Sequence, residues 1–108
     1  MNRTDVLQIA VIYQKFFESN NIQKKEHSYN ILAGLKEQIL AHCYMMLDRL
    51  EGFVLQGNLY KAFRFLGFIE GCLWTTACYT LQELKDHNRS DPLTHEDLED
   101  WEYGSGRE

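Results

Sequence analysis

The sequence predicts an all-α fold: an antiparallel helical hairpin with one helix before it and a short one after, assembled as a homo-oligomeric helical bundle. Three observations carry that expectation. One proline and seven glycines are too little punctuation for a β architecture, which needs frequent turns. Long stretches run unbroken and repeat their apolar residues at helical spacing. No other segment offers a partner strand for the β-branched cluster Ile9 to Ile12.

The first helix starts at an N-cap, Thr4 or Asp5, and runs to about Glu18, with Val6, Leu7, Ile9, Tyr13, Phe16 and Phe17 as its apolar content. Asn20-Asn21 ends it, and Gln23-Lys24-Lys25-Glu26 reads as a polar connection. The second helix spans about Ser28 to Gln56. In it Leu32, Leu35, Ile39, Leu40, Cys43, Met46, Leu47, Leu50, Phe53 and Val54 fall on one arc of about 140°. At that length it reaches roughly 40 Å. Gln56-Gly57-Asn58 supplies a stop and a restart: Gly57 suits the left-handed position after a helix and Asn58 a new N-cap. So short a link folds the third helix, about Leu59 to Ala77, back against the second. Thr80-Leu81-Gln82-Glu83 matches a capping box, so a fourth helix covers Leu81 to His87.

With 108 residues there is room for one domain, read as residues 1–90, with residues 91–108 as an acidic, partly disordered tail. Charge divides the same way. Nine Lys/Arg against eight Asp/Glu leave residues 1–85 at +1, whereas two Arg against eight acids leave residues 86–108 at −6. Neither half has the basic face a nucleic-acid binder needs. Asp5 interrupts any leader-like start, and the longest apolar run, Phe63 to Thr80, contains Arg64 and Glu70, so neither a secretory signal nor a membrane span is expected. An odd set of cysteines, Cys43, Cys72 and Cys78, reads as reduced thiols of a cytoplasmic protein. No closely spaced Cys or His pairs point to a metal, and no cofactor is implied.

The third helix carries the strongest functional clue, because it is apolar almost all round. Leu59, Ala62, Phe65, Leu66, Ile69, Leu73 and Ala77 make an ordinary inward face. Phe63, Phe68 and Trp74 lie outside it, and only Lys61, Arg64 and Glu70 are charged. Gly67 and Gly71 align on one side with Thr75 beyond them, a line that permits close backbone approach. Gly67, Phe68, Gly71 and Trp74 are therefore the candidate self-association surface. The aligned Gly34, Ala41, Met45 and Gly52 on the second helix are a weaker hint of the same kind.

A second candidate is a ligand site made by Lys61, Arg64, Glu70 and Trp74. The two cations share a face near the start of the helix, beside the positive helix end at Asn58, which suits a phosphate. Tyr60, Phe68 and Trp74 offer stacking to a base. Glu70, at the margin of the apolar arc, is either an edge residue paired with Arg49 or His42, a ligand-contacting acid–base group, or one half of an intersubunit ion pair.

Catalysis lacks a constellation. His42 adjoins Cys43, but helix neighbours point about 100° apart and form no dyad. Asp48 and Glu51, with Glu70 alone on the third helix, do not build a divalent-metal site, and no phosphate-binding glycine motif is present. The tail residues Glu96, Asp97, Glu99, Asp100 and Glu102, with Trp101 and Tyr103, read as a solubilising run or as a segment that docks on a basic surface.

The stretch Lys61-Ala62-Phe63-Arg64-Phe65-Leu66-Gly67-Phe68-Ile69-Glu70-Gly71-Cys72-Leu73-Trp74, followed by Thr80-Leu81-Gln82-Glu83-Leu84-Lys85-Asp86-His87-Asn88, resembles small all-helical accessory proteins of tailed bacteriophages. The resemblance covers about residues 32–90 and carries no site residues with it. It implies a non-enzymatic accessory protein of the host cytoplasm that binds and inhibits a host defence factor. Two alternatives stay open: an oligomer that sequesters a small nucleotide-like ligand, and a structural or packaging component of a virion.

Overall fold

Four helices follow one another in residues 1–89, the part of the chain that the computed structural model describes: α1 (Arg3–Ser19), α2 (Lys36–Leu55), α3 (Leu59–Thr75) and α4 (Leu81–His87). No strand occurs among the described residues. The acidic tail expected over residues 91–108 lies outside them.

Each helix contributes one stripe to a shared core. Val6, Ile9, Tyr13 and Phe17 come from α1; Leu40, Cys43, Leu47, Leu50 and Val54 from α2; Ala62, Leu66, Ile69 and Leu73 from α3; Leu84 from α4. The spacing is that of one helical face, and each large apolar side chain so buried contributes about 1.5–3 kcal/mol. Between α2 and α3 the rings of Phe53 and Phe65 meet edge to face at 5.0 Å, and those of His42 and Phe68 at 6.5 Å. Cys43 is fully buried, and all three cysteines are free. The neighbouring Cys72 thiol and burial push Cys43 up.

The helix ends are set by local chemistry. The N-cap of α1 is Asn2, not Thr4 or Asp5: its Oδ1 accepts the Asp5 N–H at 3.0 Å, and the Asp5 carboxylate accepts the Asn2 N–H at 3.0 Å. Asp5 is thus the reciprocal member of a capping box. Asn58 caps α3 and the Thr80–Glu83 box caps α4, both as their sequence positions predict. Three helices close with the same left-handed turn. Asn21, Gly57 and Ala77 have φ of 57°, 81° and 62°, and Ile22, Asn58 and Cys78 donate back to Phe17, Phe53 and Leu73. Ala77 therefore lies beyond α3 and outside the inward face assigned to it.

The second helix is shorter than expected and starts at Lys36, not near Ser28. Upstream backbone donors find other acceptors. Gly34 N–H and Leu35 N–H both donate to the Gln38 side-chain oxygen, at 2.9 and 3.1 Å. His27 N–H donates to His42 Nδ1 at 3.0 Å, and Lys25 N–H to Ala41 O at 3.2 Å. Residues 20–35 consequently run over α2 as an extended segment instead of continuing it. Leu32, assigned to the apolar arc, is 95% exposed, and Leu35 is exposed as well. Arg49 ties the segment down from α2, reaching Glu26 at 2.9 Å and the Tyr29 hydroxyl at 2.9 Å.

Candidate functional site

The residues expected to form a ligand site do not converge. Nine positions separate Lys61 from Glu70, which at about 100° per residue puts them on opposite sides of α3. Lys61 Nζ sits over the Phe53 ring of α2, 4.9 Å from its centre. Arg64 lies over the Tyr60 ring one turn back, 5.8 Å from its centre. Glu70 faces the other way, toward α1 and the end of α4. Trp74 is exposed and shares no hydrogen bond or ring contact with the other three.

The self-association candidates do share one face. Gly67 and Gly71 are exposed, and a side chain built on either would meet nothing within 4 Å. Helical spacing sets Phe63 and Trp74 on one flank of this line and Phe68 on the other. Trp74 is 50% exposed and Phe68 53%. Among the described residues nothing approaches the glycine line. The weaker line on the second helix breaks up, because Gly34 precedes α2.

Glu70 belongs to a polar cluster with residues from two other elements. Tyr13 Oη, from α1, donates to Glu70 Oε2 at 2.5 Å. His87 Nδ1, at the end of α4, lies 3.2 Å from the same hydroxyl and donates to it, since the hydroxyl proton is already committed. Asn88 Nδ2 donates to Glu70 Oε1 at 3.1 Å. Rings enclose the chain: Tyr79 packs 5.9 Å from Tyr13 and 4.9 Å from His87. Burial holds Glu70 above the ordinary carboxylate range, against the lowering pull of the Tyr13 and Asn88 donors. Burial and the bond to Glu70 push the Tyr13 phenol up. A cavity of about 250 Å³ opens beside the cluster, lined by Phe63, Gly67, Glu70 and Asn88 among others. The pairing expected for Glu70 does not occur: Arg49 is taken by Glu26 and Tyr29, and His42 by the His27 amide.

On the opposite side of α3 a larger cleft, about 340 Å³, lies between residues 27–33, the start of α2 and the end of α3. His42 stands between two rings there, 6.2 Å from Tyr29 and 6.5 Å from Phe68, both edge to face. Sequence reasoning missed this cleft because it read residues 28–35 as helix. It also missed Tyr13 as a partner of Glu70, although a tyrosine on a buried face signals a hydroxyl in need of an acceptor.

Among the described residues no group of His, Cys, Asp and Glu is placed to hold a metal ion, and no helix is long and apolar enough to cross a membrane. No protein family, curated protein or solved structure matches this chain.

Proposed function

We propose that the chain acts by binding protein through the exposed face of α3, and that its first partner is a second copy of itself. The supporting observation is the pair of half-exposed rings, Phe68 and Trp74, flanking a glycine line with open space above it. Contiguous aromatic surface of this kind marks an interaction site. The pattern suits a two-fold contact, in which the aromatic flanks of one copy cover the glycines of the other. In this reading α2 and α3 form an antiparallel hairpin, and two hairpins assemble as a helical bundle. The resemblance over residues 32–90 supports the setting: a non-enzymatic phage accessory protein whose oligomer inhibits a host factor.

Native mass spectrometry and light scattering of the wild type and Gly71→Glu test the proposal. The wild type should be a defined multimer and the variant a monomer. Folding of the variant is expected to hold, because the new side chain meets none of the described residues and glycine is a weaker helix former than glutamate. A wild type that stays monomeric at every concentration measured overturns the reading.

A further inference from the structure

We propose that the cleft beside residues 27–33 is a binding site for a small, uncharged, planar heteroaromatic molecule that presents a hydrogen-bond acceptor to His42. The cleft shares Phe68 with the proposed self-association face but is walled mainly by residues 27–33 and α2, and it exists within one copy of the chain.

Three features of the cleft choose this chemistry. The first is size: about 340 Å³ falls within the range of about 300–1,000 Å³ that small-molecule pockets occupy. The second is charge. Its walls include Tyr29, Ile31, Leu32, Phe68, Gln38 and His42, and among the described residues no Asp, Glu, Lys or Arg lines it. A charged ligand would find no counter-ion in this lining, so an uncharged one fits it better. Rings and branched aliphatics suit a flat apolar body.

The third is the direction of the polar groups. His42 Nδ1 accepts the His27 amide, so the neutral imidazole carries its proton on Nε2. That Nε2–H has no acceptor among the described residues, although the ring stands in the cleft wall between Tyr29 and Phe68. Burial holds His42 below the ordinary imidazole range, which favours the neutral ring, and the His27 amide selects its tautomer. Glu26, Arg49 and His27 are the charged or titratable neighbours that act on it. Its Nδ1 is held from the backbone side by the His27 amide, and the ring is part of the cleft wall. The walls come from a long loop without an element of its own, which is uncommon in a compact domain. This loop holds Tyr29 74% exposed over the cleft.

The probes are 7-azaindole, a flat neutral ring with an adjacent acceptor and donor, and indole, which keeps the shape and donor but lacks the acceptor. Each is titrated into isotope-labelled full-length protein and followed by NMR, including the histidine side-chain nitrogens. Saturable shifts at His42, Tyr29 and Phe68 with 7-azaindole are expected, and indole should bind about fivefold more weakly for want of one hydrogen bond. Ile31→Asp, an exposed change that puts a carboxylate in the cleft wall, should abolish binding without lowering Tm. Gly71→Glu should leave it intact, separating failure of this site from failure of self-association. No saturable shift, equal affinity for the two probes, or shifts confined to the Glu70 cavity would each overturn the proposal.

Discussion

Replacing Tyr13 by phenylalanine removes one oxygen atom from the centre of the polar cluster and leaves the ring packing against Tyr79 and His87 in place. Two groups then lose their partner: Glu70 Oε2, which accepts the 2.5 Å bond, and His87 Nδ1, which lies 3.2 Å from the hydroxyl. A hydrogen bond to a charged group contributes about 1.5–3 kcal/mol, and a buried donor left unpaired costs about 1–3 kcal/mol. The cavity beside Glu70 admits water, which restores part of the loss, so the net destabilisation should be about 2 kcal/mol. For a domain of this size that is a fall of roughly 10 °C in Tm. The effect has a pH signature. The Tyr13 donor lowers Glu70, so its removal raises the folded-state value of Glu70 further above the unfolded one. A carboxyl raised on folding contributes stability at low pH that is lost as pH rises through its folded value. The gap between wild type and variant should therefore widen as pH rises through that value and narrow in acid. Urea unfolding across pH 4–8, read by circular dichroism, checks this. In the Glu70→Gln background the part of the pH dependence that comes from Glu70 should be lost, because the acceptor no longer ionises, and Asn88 Oδ1, which has no hydrogen-bond partner among the described residues, can turn to take the new amide proton. A gap that does not change with pH, or one below about 0.5 kcal/mol at neutral pH, would refute the chain of bonds from His87 to Glu70.

Two further predictions concern the backbone. Ala77→Gly should stabilise the protein by about 0.5–1 kcal/mol, since φ at this position is 62° and a left-handed alanine is strained by about 1–2 kcal/mol, partly offset by the freedom glycine adds to the unfolded chain; thermal melts decide, and a lower Tm would contradict the helix end drawn here. Leu32→Asn should change stability by less than about 0.5 kcal/mol, because the side chain already faces water; a loss of about 2–5 kcal/mol would mean that Leu32 packs as part of the α2 stripe after all.

The legible parts of this protein are those written in local chemistry. Gly57 and Asn58 mark the end of one helix and the start of the next by conformation and capping alone. Thr80 and Glu83 do the same for α4. The excess apolar content of α3 was readable as surplus, and Phe68 and Trp74 are the surplus, facing outward. The start of α2 was not readable, because Leu32 and Leu35 repeat at helical spacing and periodicity cannot report where a backbone amide is bonded. Gln38 reaching back to Gly34 and Leu35, and His42 taking the His27 amide, decide that boundary.

The site divides in the same way. From the sequence alone Glu70 could be recognised as a carboxylate in the wrong company, at the edge of an apolar arc where something must satisfy it. What satisfies it is Tyr13 and Asn88, separated from it by 57 and 18 positions along the chain. The pattern of one helix records which side chains need partners, but not which other helix brings them. Composition and spacing by themselves determined four helices, the caps of α3 and α4, and an over-apolar third helix. Only the packing of α1, α3 and α4 brought Tyr13, Glu70, His87 and Asn88 into one hydrogen-bonded cluster, because contacts distant in sequence exist only once the chain has closed around its core.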